Sequence, residues 1–199
     1  MGNLNHILEK SGIDLASAKA LEVFGGDGTF HLMEYANDVQ SLDVWECNPD
    51  SILKLNNVLP QANIYLCDVY ERVKVEEKRF DLIVVDNPAQ TQYGHCEHFD
   101  LFPDIFRLMA DTCLLVLNII PIISNKCGFP ELNSAHHQEQ RKRFYVGADP
   151  NNLTEKDLTY IYNKLAFDNG FILTFSIIIP RGVVYYLAIR LEKRAKWQQ

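Results

Sequence analysis

No apolar run in the sequence approaches the ~20 residues that a membrane-spanning helix needs. The first residues lack the basic-then-apolar order of a secretory signal, and the chain has no repeat or low-complexity tract. At 199 residues, of which 47% are hydrophobic, the chain can form one core that buries about 70% of the unfolded surface. We therefore predict a single globular domain over residues 1–199 and no association with a membrane.

Paired cysteines and excess basic charge are also missing. The five cysteines are an odd number without a Cys-x-x-Cys pair, which predicts free thiols in a reducing compartment, by default the cytoplasm. The formal net charge of −7 at pH 7 opposes phosphate-driven binding to DNA or RNA. A small-molecule partner is favoured, and a nucleic acid is the minority alternative.

What the sequence does contain is a regular alternation of strand and helix patterns. The predicted strands are residues 19–24, 41–46, 62–67, 80–85, 113–120, 171–179 and 183–191. The predicted helices are residues 3–12, 29–37 and 103–111, one that begins after Asn48-Pro49 and one that begins after Thr154. Residues 124–152 show no sustained periodicity, and we interpret them as a lid, a substrate loop or an oligomer contact.

The order of these elements predicts the fold class. Residues 80–85 are almost continuously apolar, as in a parallel strand that is covered on both faces. Only residues 180–182 separate the last two strands, which is too short for a parallel crossover and requires an antiparallel hairpin. We predict an α/β fold with a doubly wound, mostly parallel seven-stranded sheet and a C-terminal antiparallel hairpin.

Three glycines, Gly25, Gly26 and Gly28, follow the first predicted strand. Glycine tolerates positive φ and lets backbone N–H groups approach a ligand, and ligands of open parallel sheets bind at the carboxyl ends of the strands. Glu46 and Asp68 end the next two strands, and a carboxylate in the position of Glu46 suits ribose hydroxyls. The alternative is a plain strand-to-helix turn without a ligand.

A nicotinamide dinucleotide would bind at the same edge of the sheet. Its fingerprint is Gly-x-Gly-x-x-Gly, in which the third glycine permits close packing of helix and strand. Counted from Gly26 and Gly28, the third position is His31. A bulky residue at this position argues against NAD.

The stretch EVFGGDGT, which begins at Glu22, resembles the first motif of class I S-adenosylmethionine-dependent methyltransferases, in which an acid precedes a Gly-x-Gly loop. The resemblance extends from about Lys19 to Ile120 by motif, and to Leu191 by the order of elements. It implies a Rossmann-like methyltransferase fold, S-adenosylmethionine as the cofactor and S-adenosylhomocysteine as the product.

The resemblance also implies roles for individual residues. Glu22 would lie near the amino acid end of the cofactor, and Gly26 and Gly28 would line it. Glu46 would bind the ribose, and Asp68 would meet the adenine amino group. The other residues expected at the cofactor are Phe24, Gly25, Cys47, Val69 and Asp86. Phe24 stands where the family usually has the first glycine of the motif.

In this family the methyl acceptor faces the end of the fourth strand, here Asp86-Asn87-Pro88-Ala89. Members that methylate the amino groups of nucleic acid bases carry Asp/Asn-Pro-Pro-aromatic at this position. This chain has Asn87 for the first proline and Ala89 for the aromatic residue. Loss of a stacking ring, worth ~1–3 kcal/mol, disfavours a nucleic acid base.

The densest group of titratable side chains lies at residues 93–100. His95 or His98 could deprotonate a substrate hydroxyl, because histidine titrates near neutral pH. Together with Asp86 and Asn87 they are the candidate catalytic residues. Ligands this close in sequence lack the spacing of zinc sites, so we expect no metal. Further along the chain, Arg141 or Arg143 could meet an anionic substrate.

We therefore predict a methyltransferase that acts on an O or N atom of a small molecule, such as a sugar or a biosynthetic intermediate. The alternatives are a methyltransferase that modifies amino groups of nucleic acids, a methyltransferase-like module that binds without turnover, and an aminopropyltransferase-like enzyme. A cytoplasmic location and a homodimer are the accompanying expectations.

Overall fold

The structure, a computed structural model, describes residues 3–29, 31–86, 94–123 and 130–195. The α-helices in these ranges are α1 (Asn3–Ser11), α2 (Pro49–Val58), α3 (Val69–Val75), α4 (Ala135–Phe144) and α5 (Glu155–Asp168). The strands are β1 (Lys19–Val23), β2 (Ser41–Glu46), β3 (Asn63–Leu66), β4 (Phe80–Val85), β5 (Met109–Ile119), β6 (Phe171–Arg181) and β7 (Val184–Lys193). Within the described ranges, no helix is long and apolar enough to cross a membrane.

In the described part of the chain the strands form one seven-stranded sheet in the order β3-β2-β1-β4-β5-β7-β6. The pairs from β3 to β5 are parallel, whereas β7 runs antiparallel to both β5 and β6. The predicted doubly wound sheet with its C-terminal hairpin is confirmed. Because the winding reverses between β1 and β4, the loop after β1 lies at the switch point where ligands of such sheets bind.

Helices cover both faces of the sheet. On one face, α3 and α5 pack against alternate strand residues such as Leu21, Ile83 and Leu115. On the other face, α1 and α2 cover the intervening residues, among them Ala20 and Val44. Two covered faces explain why β4 is almost continuously apolar.

The predicted helix starts at Asn48 and Thr154 are confirmed. The Asn48 side chain accepts the N–H of Asp50 at 3.0 Å, and Pro49 occupies the first turn of α2. The Thr154 hydroxyl accepts the N–H of Asp157 at 3.2 Å, and an oxygen of Asp157 accepts the Thr154 N–H at 2.9 Å. This reciprocal capping box fixes the first turn of α5.

Two of the predicted helices are wrong, because the structure has only short 3-10 turns there. The helix predicted at 29–37 is a turn at His31–Glu34. The helix predicted at 103–111 is a turn at Asp104–Leu108, because Met109 already pairs with β4.

The segment 124–152, predicted to be irregular, contains the ten-residue helix α4. The Ser134 hydroxyl caps it by accepting the N–H of His137 at 3.2 Å. The buried side chains of α4 are His137 and Arg141, four positions apart. A polar inward face produces no hydrophobic periodicity, so the pattern on which the prediction depended could not reveal this helix.

Replacement Thr154→Ala removes the hydroxyl of the capping box. We expect the free energy of unfolding to fall by about 1 kcal/mol, the usual effect of losing an N-cap side chain. Urea denaturation at pH 7 measures the change. Thr159→Ala, inside the same helix, is the control and should not destabilise the protein, because alanine has the higher helix propensity. Equal losses in the two variants would contradict the capping role.

Candidate functional site

The chain leaves β1 in a sharp turn built from residues with positive φ. Phe24, Gly26 and Gly28 have φ values of 67°, 56° and 76°, a region that favours glycine. A Cβ atom on Gly25 would lie 2.3 Å from Val44 Cγ1, whereas a Cβ atom on Gly26 would have no atom within 4 Å. Packing against β2 therefore requires Gly25, and Gly26 faces open space in which a ligand can approach the backbone.

The carboxylate of Glu46, at the end of β2, fastens this turn. Its Oε2 accepts the N–H of Gly26 at 2.8 Å, and its Oε1 accepts the N–H groups of Cys47 and Asn48 at 2.8 and 2.7 Å. A carboxylate offers about four acceptor sites. Three bonds to the protein leave one site with which Glu46 could accept a ligand hydroxyl.

A cavity of about 400 Å³ opens at the carboxyl ends of β1, β2 and β3. Its lining includes four residues that were predicted to contact the cofactor, namely Phe24, Cys47, Asp68 and Val69. The remaining lining residues are Pro49, Leu66, Cys67, Tyr70 and His95. Burial raises the pKa of the Cys47 and Cys67 thiols, so both are neutral wall groups at pH 7.

His95 lines the same cavity and is oriented by two neighbours. Its ring stacks on Tyr70 with centroids 3.6 Å apart and an interplanar angle of 17°. Its Nδ1 lies 2.6 Å from Asp100 Oδ2, so the neutral ring carries its proton on Nδ1 and Nε2 is the basic nitrogen. With 31% of its side chain exposed, His95 has the access and the orientation that a general base needs.

His98, the second candidate base, is fully buried. Its Nε2 lies 2.5 Å from the Tyr162 hydroxyl, and the rings of Phe99, Phe102 and Phe144 surround it. Burial lowers its pKa to about 4, so the imidazole is neutral at pH 7. A buried imidazole in an aromatic core does not meet a substrate, and we correct the predicted catalytic role to a packing role.

A buried ionic cluster lies behind the segment that carries His95. Glu97, with φ of 50°, accepts hydrogen bonds from Arg141 Nη1 and, at 3.0 Å, from His137 Nε2. Arg141 also donates to the carbonyl oxygens of Ile120 and Pro150, both at 2.8 Å. Burial alone would raise the pKa of Glu97, but the Arg141 charge, the hydrogen bond from His137 and the charges of His98 and His137 together outweigh burial and hold this pKa below its usual value.

The cluster changes the interpretation of the two arginines on α4. Arg141 has no exposed surface, so the idea that it meets an anionic substrate is wrong. Arg143 is exposed and pairs with Glu139 on its own helix at 3.1 Å, as a solvated surface residue does. The role of Arg141 is to anchor α4 to Glu97.

Helix α4 also holds the other side of the segment around His95. His136 Nε2 lies 3.0 Å from the carbonyl oxygen of Gly94, one residue before His95. The Glu97 cluster is attached two residues after it. A single helix therefore anchors the backbone on both sides of the candidate base.

Glu22 and Asp86 lie at the ends of the neighbouring strands β1 and β4. Glu22 is buried, accepts a hydrogen bond from the Tyr35 hydroxyl and lies 3.1 Å from His31 Nε2. Asp86, with 24% of its side chain exposed, lies 3.4 Å from His31 Nδ1. Their expected contacts with the cofactor remain predictions. Asn87 and residues 88–93 lie outside the described residues.

Sequence reasoning missed Tyr70 and Asp100, which orient His95, and the positions of His31 and His137. For Tyr70 the sequence contains one signal, which is the helix-capping residue Asp68. Its side chain accepts the N–H of Tyr70 at 2.9 Å and so starts α3 beside the cavity. The described ranges contain no group of three or more His, Cys, Asp or Glu side chains that could hold a metal ion.

Known proteins resemble this chain in fold only. No family model matches the sequence, and no curated protein matches it. Among solved structures, a S-adenosylmethionine-dependent methyltransferase from Methanosarcina mazei is similar, with a TM-score of 0.58 and 12% identity over 98% of this chain and 99% of that one. The N-methyltransferase NodS from Bradyrhizobium japonicum has a TM-score of 0.57 and 13% identity, covering 96% of this chain and 95% of its own.

A third similar structure contains ligands. It is the 1,6-didemethyltoxoflavin-N1-methyltransferase of Burkholderia thailandensis with bound 1,6-didemethyltoxoflavin and S-adenosylhomocysteine. The TM-score is 0.59 and the identity 14%, over 96% of this chain and 76% of that one. Identities this low show the fold alone. The chain has the Rossmann-like fold of class I S-adenosylmethionine-dependent methyltransferases, as the glycine motif predicts.

The low pKa of His98 has a consequence for stability. Between pH 7 and pH 5 the unfolded chain takes up a proton at His98, whose ordinary pKa is 6.5, whereas the folded chain does not. The free energy of unfolding therefore decreases as the pH is lowered. Between pH 7 and pH 5, His98 contributes about 2 kcal/mol to this decrease. Urea denaturation of His98→Asn should show a pH dependence that is weaker by this amount. Exposed His136, replaced in His136→Gln, is the control. An unchanged pH dependence in His98→Asn would contradict a neutral, buried His98.

Proposed function

We propose that this protein is a S-adenosylmethionine-dependent methyltransferase that transfers the methyl group to an O or N atom of a small molecule. The observation that carries the proposal is the 400 Å³ cavity at the ends of β1, β2 and β3, lined by four of the residues expected at the cofactor. Its volume lies within the range of small-molecule sites, about 300–1,000 Å³. The buried His31 at the third glycine position disfavours a dinucleotide.

The residues at this edge fit an adenosyl group. Gly26 leaves its backbone open, and Glu46 keeps one acceptor site, which we assign to a ribose hydroxyl. Asp68 uses Oδ1 for both of its capping bonds, and we assign Oδ2 to the adenine amino group. Cys47 and Val69 supply apolar walls beside them.

When bound, the cofactor would supply an electrophilic methyl group on sulfur. The task of the chain is then to aim an acceptor lone pair and to exclude water. An unprotonated amine needs only to be aimed. For a hydroxyl acceptor, we assign proton removal to His95 Nε2 or to Asp86, the two partly exposed candidates at this edge.

Three observations support a small-molecule acceptor. The net charge is −7, Ala89 replaces the stacking ring of base-methylating relatives, and the cation of Arg141 is committed to Glu97. The similar enzyme from Burkholderia thailandensis was solved with 1,6-didemethyltoxoflavin, a small molecule. A cytoplasmic location, inferred from cysteine usage, and a homodimer belong to the proposal as well.

Calorimetric titration with S-adenosylhomocysteine tests the cofactor assignment. We expect the parent chain to bind one equivalent, and Gly26→Arg to weaken binding by about tenfold or more, equal to 1.4 kcal/mol, because arginine fills the open space beside the loop. Gly147→Arg is the matched control. Gly147 also has a positive φ and no atom within 4 Å of an added Cβ, but it follows α4 and does not belong to the loop after β1.

Binding by Gly26→Arg as tight as that of the parent would contradict the placement of the cofactor. The release of S-adenosylhomocysteine from S-adenosylmethionine, in the presence of pools of small hydroxyl and amine compounds, then tests turnover. Binding without release in any pool would favour a non-catalytic module. Tighter binding of the decarboxylated donor would favour an aminopropyltransferase-like enzyme.

A further inference from the structure

A row of polar side chains crosses one face of the sheet at its carboxyl edge. Glu22 pairs in register with Val84, two residues before Asp86, and Asn118 pairs with Tyr186. Asn118 Nδ2 donates a hydrogen bond to Asp86 Oδ1. The rest of this face is an apolar core. Because buried ionisable groups are costly, such a row is a candidate functional feature.

His31 is the link in this row. Its Nε2 lies 3.1 Å from Glu22 Oε1, and its Nδ1 lies 3.4 Å from Asp86 Oδ2. The Tyr35 hydroxyl donates to the other oxygen of Glu22, so Glu22 is fixed from two sides. The imidazole therefore bridges two carboxylates that belong to neighbouring strands.

The remaining groups around His31 come from the C-terminal hairpin. The ring of Tyr186 meets the imidazole edge-on, with centroids 5.8 Å apart. The Arg181 guanidinium lies 4.2 Å from the centroid of the Tyr186 ring, and its Nη1 donates to Asn118 Oδ1 at 3.5 Å. Among the described residues, the charged and titratable groups that face His31 are thus Glu22, Asp86, Arg181 and Tyr186.

The row reaches solvent at Asp86. The exposed fraction of the side chain is 24% for Asp86, compared with 4% for His31 and 1% for Glu22. Asp86 also follows β4, where the fold places the methyl acceptor in the family that the chain resembles. A ligand at this edge would therefore meet the carboxylate of Asp86, with the imidazole behind it.

We propose, on the basis of the proposed function, that His31 is a positioning residue for the methyl acceptor: it bridges Asp86 to the buried Glu22 and holds the Asp86 carboxylate where it takes the acceptor proton. The proton of the acceptor O–H or N–H passes to Asp86, which becomes a neutral acid. The electron pair left on the acceptor atom forms the bond to the methyl group, and the donor sulfur keeps the pair of the bond that breaks.

The protonation of His31 agrees with this role. Burial alone would lower its pKa, but the charge of Glu22, the hydrogen bond to Glu22 and the charge of Asp86 together outweigh burial and the opposing charge of Arg181, so that the pKa lies above its usual value. The positive charge that this pKa favours lies on the ring whose Nδ1 is 3.4 Å from Asp86 Oδ2, so it attracts that carboxylate toward His31.

A pH titration of the ligand-free protein by NMR, with [15N]histidine labelling, tests the bridge. The His31 signal is identified by its loss in His31→Gln or, if that variant does not fold, by its NOE to the Tyr186 ring. Asp86→Asn should lower the pKa of His31 by about one pH unit or more, because an opposite charge at this distance has an effect of that size. Asp100→Asn is the matched control, since Asp100 contacts His95 instead, and it should leave the pKa of His31 unchanged.

An unchanged pKa of His31 in Asp86→Asn, or an equal change in Asp100→Asn, would overturn the positioning role. Titration of the parent sample with S-adenosylhomocysteine separates this result from a failure of the proposed function. If S-adenosylhomocysteine binds but Asp86→Asn leaves the pKa of His31 unchanged, the positioning role alone is refuted. If Asp86→Asn lowers the pKa of His31 but S-adenosylhomocysteine does not bind, the methyltransferase proposal is refuted, and the acceptor role of Asp86 with it.

Discussion

The carboxyl edge of the sheet depends on the carboxylate of Glu46. It accepts backbone N–H groups from Gly26 in the first loop and from Cys47 and Asn48 at the start of α2. Hydrogen bonds to a charged group contribute about 1.5–3 kcal/mol each. One side chain therefore sets the position of the glycine loop, the cavity wall at Cys47 and the beginning of a helix.

Two buried glutamates hold the surrounding segments in a similar way. Glu22 contacts His31 and Tyr35, and Glu97 contacts His137 and Arg141. The partners in each pair are four positions apart, so one turn of chain presents both side chains to a single carboxylate. Removing one partner of a buried ion pair typically costs about 3–5 kcal/mol. Polar contacts therefore help to fix the segments beside the candidate site.

The sequence predicts most of the fold because the strands are apolar and their ends carry clear polar signals. β2 and β4 have the predicted bounds of residues 41–46 and 80–85. Helix α4 was not predictable from periodicity, since its buried side chains are His137 and Arg141. The residues that line the cavity follow from strand order, because the carboxyl ends of parallel strands meet at one edge.

The chemical roles near the site were less predictable. His95 and His98 are three residues apart, and the sequence treats them alike. Burial separates them, because Phe144 and Tyr162, distant in sequence, enclose His98 and leave His95 at the cavity. In the sequence, the position of His31 indicates only that dinucleotide binding is disfavoured. Its link between Glu22 and Asp86 depends on the pairing of β1 with β4, which the sequence of the loop does not encode.

We propose that the cofactor binds where β1, β2 and β3 end. A second depression, of about 540 Å³, lies beside α1 and is lined by residues that include Leu8 and Leu15. Mapping amide chemical shifts during a titration with S-adenosylhomocysteine distinguishes the two places directly. We expect shifts at Gly26, Cys47 and Val69. Shifts at Leu8 and Leu15, with Gly26, Cys47 and Val69 unchanged, would contradict the proposed cofactor site.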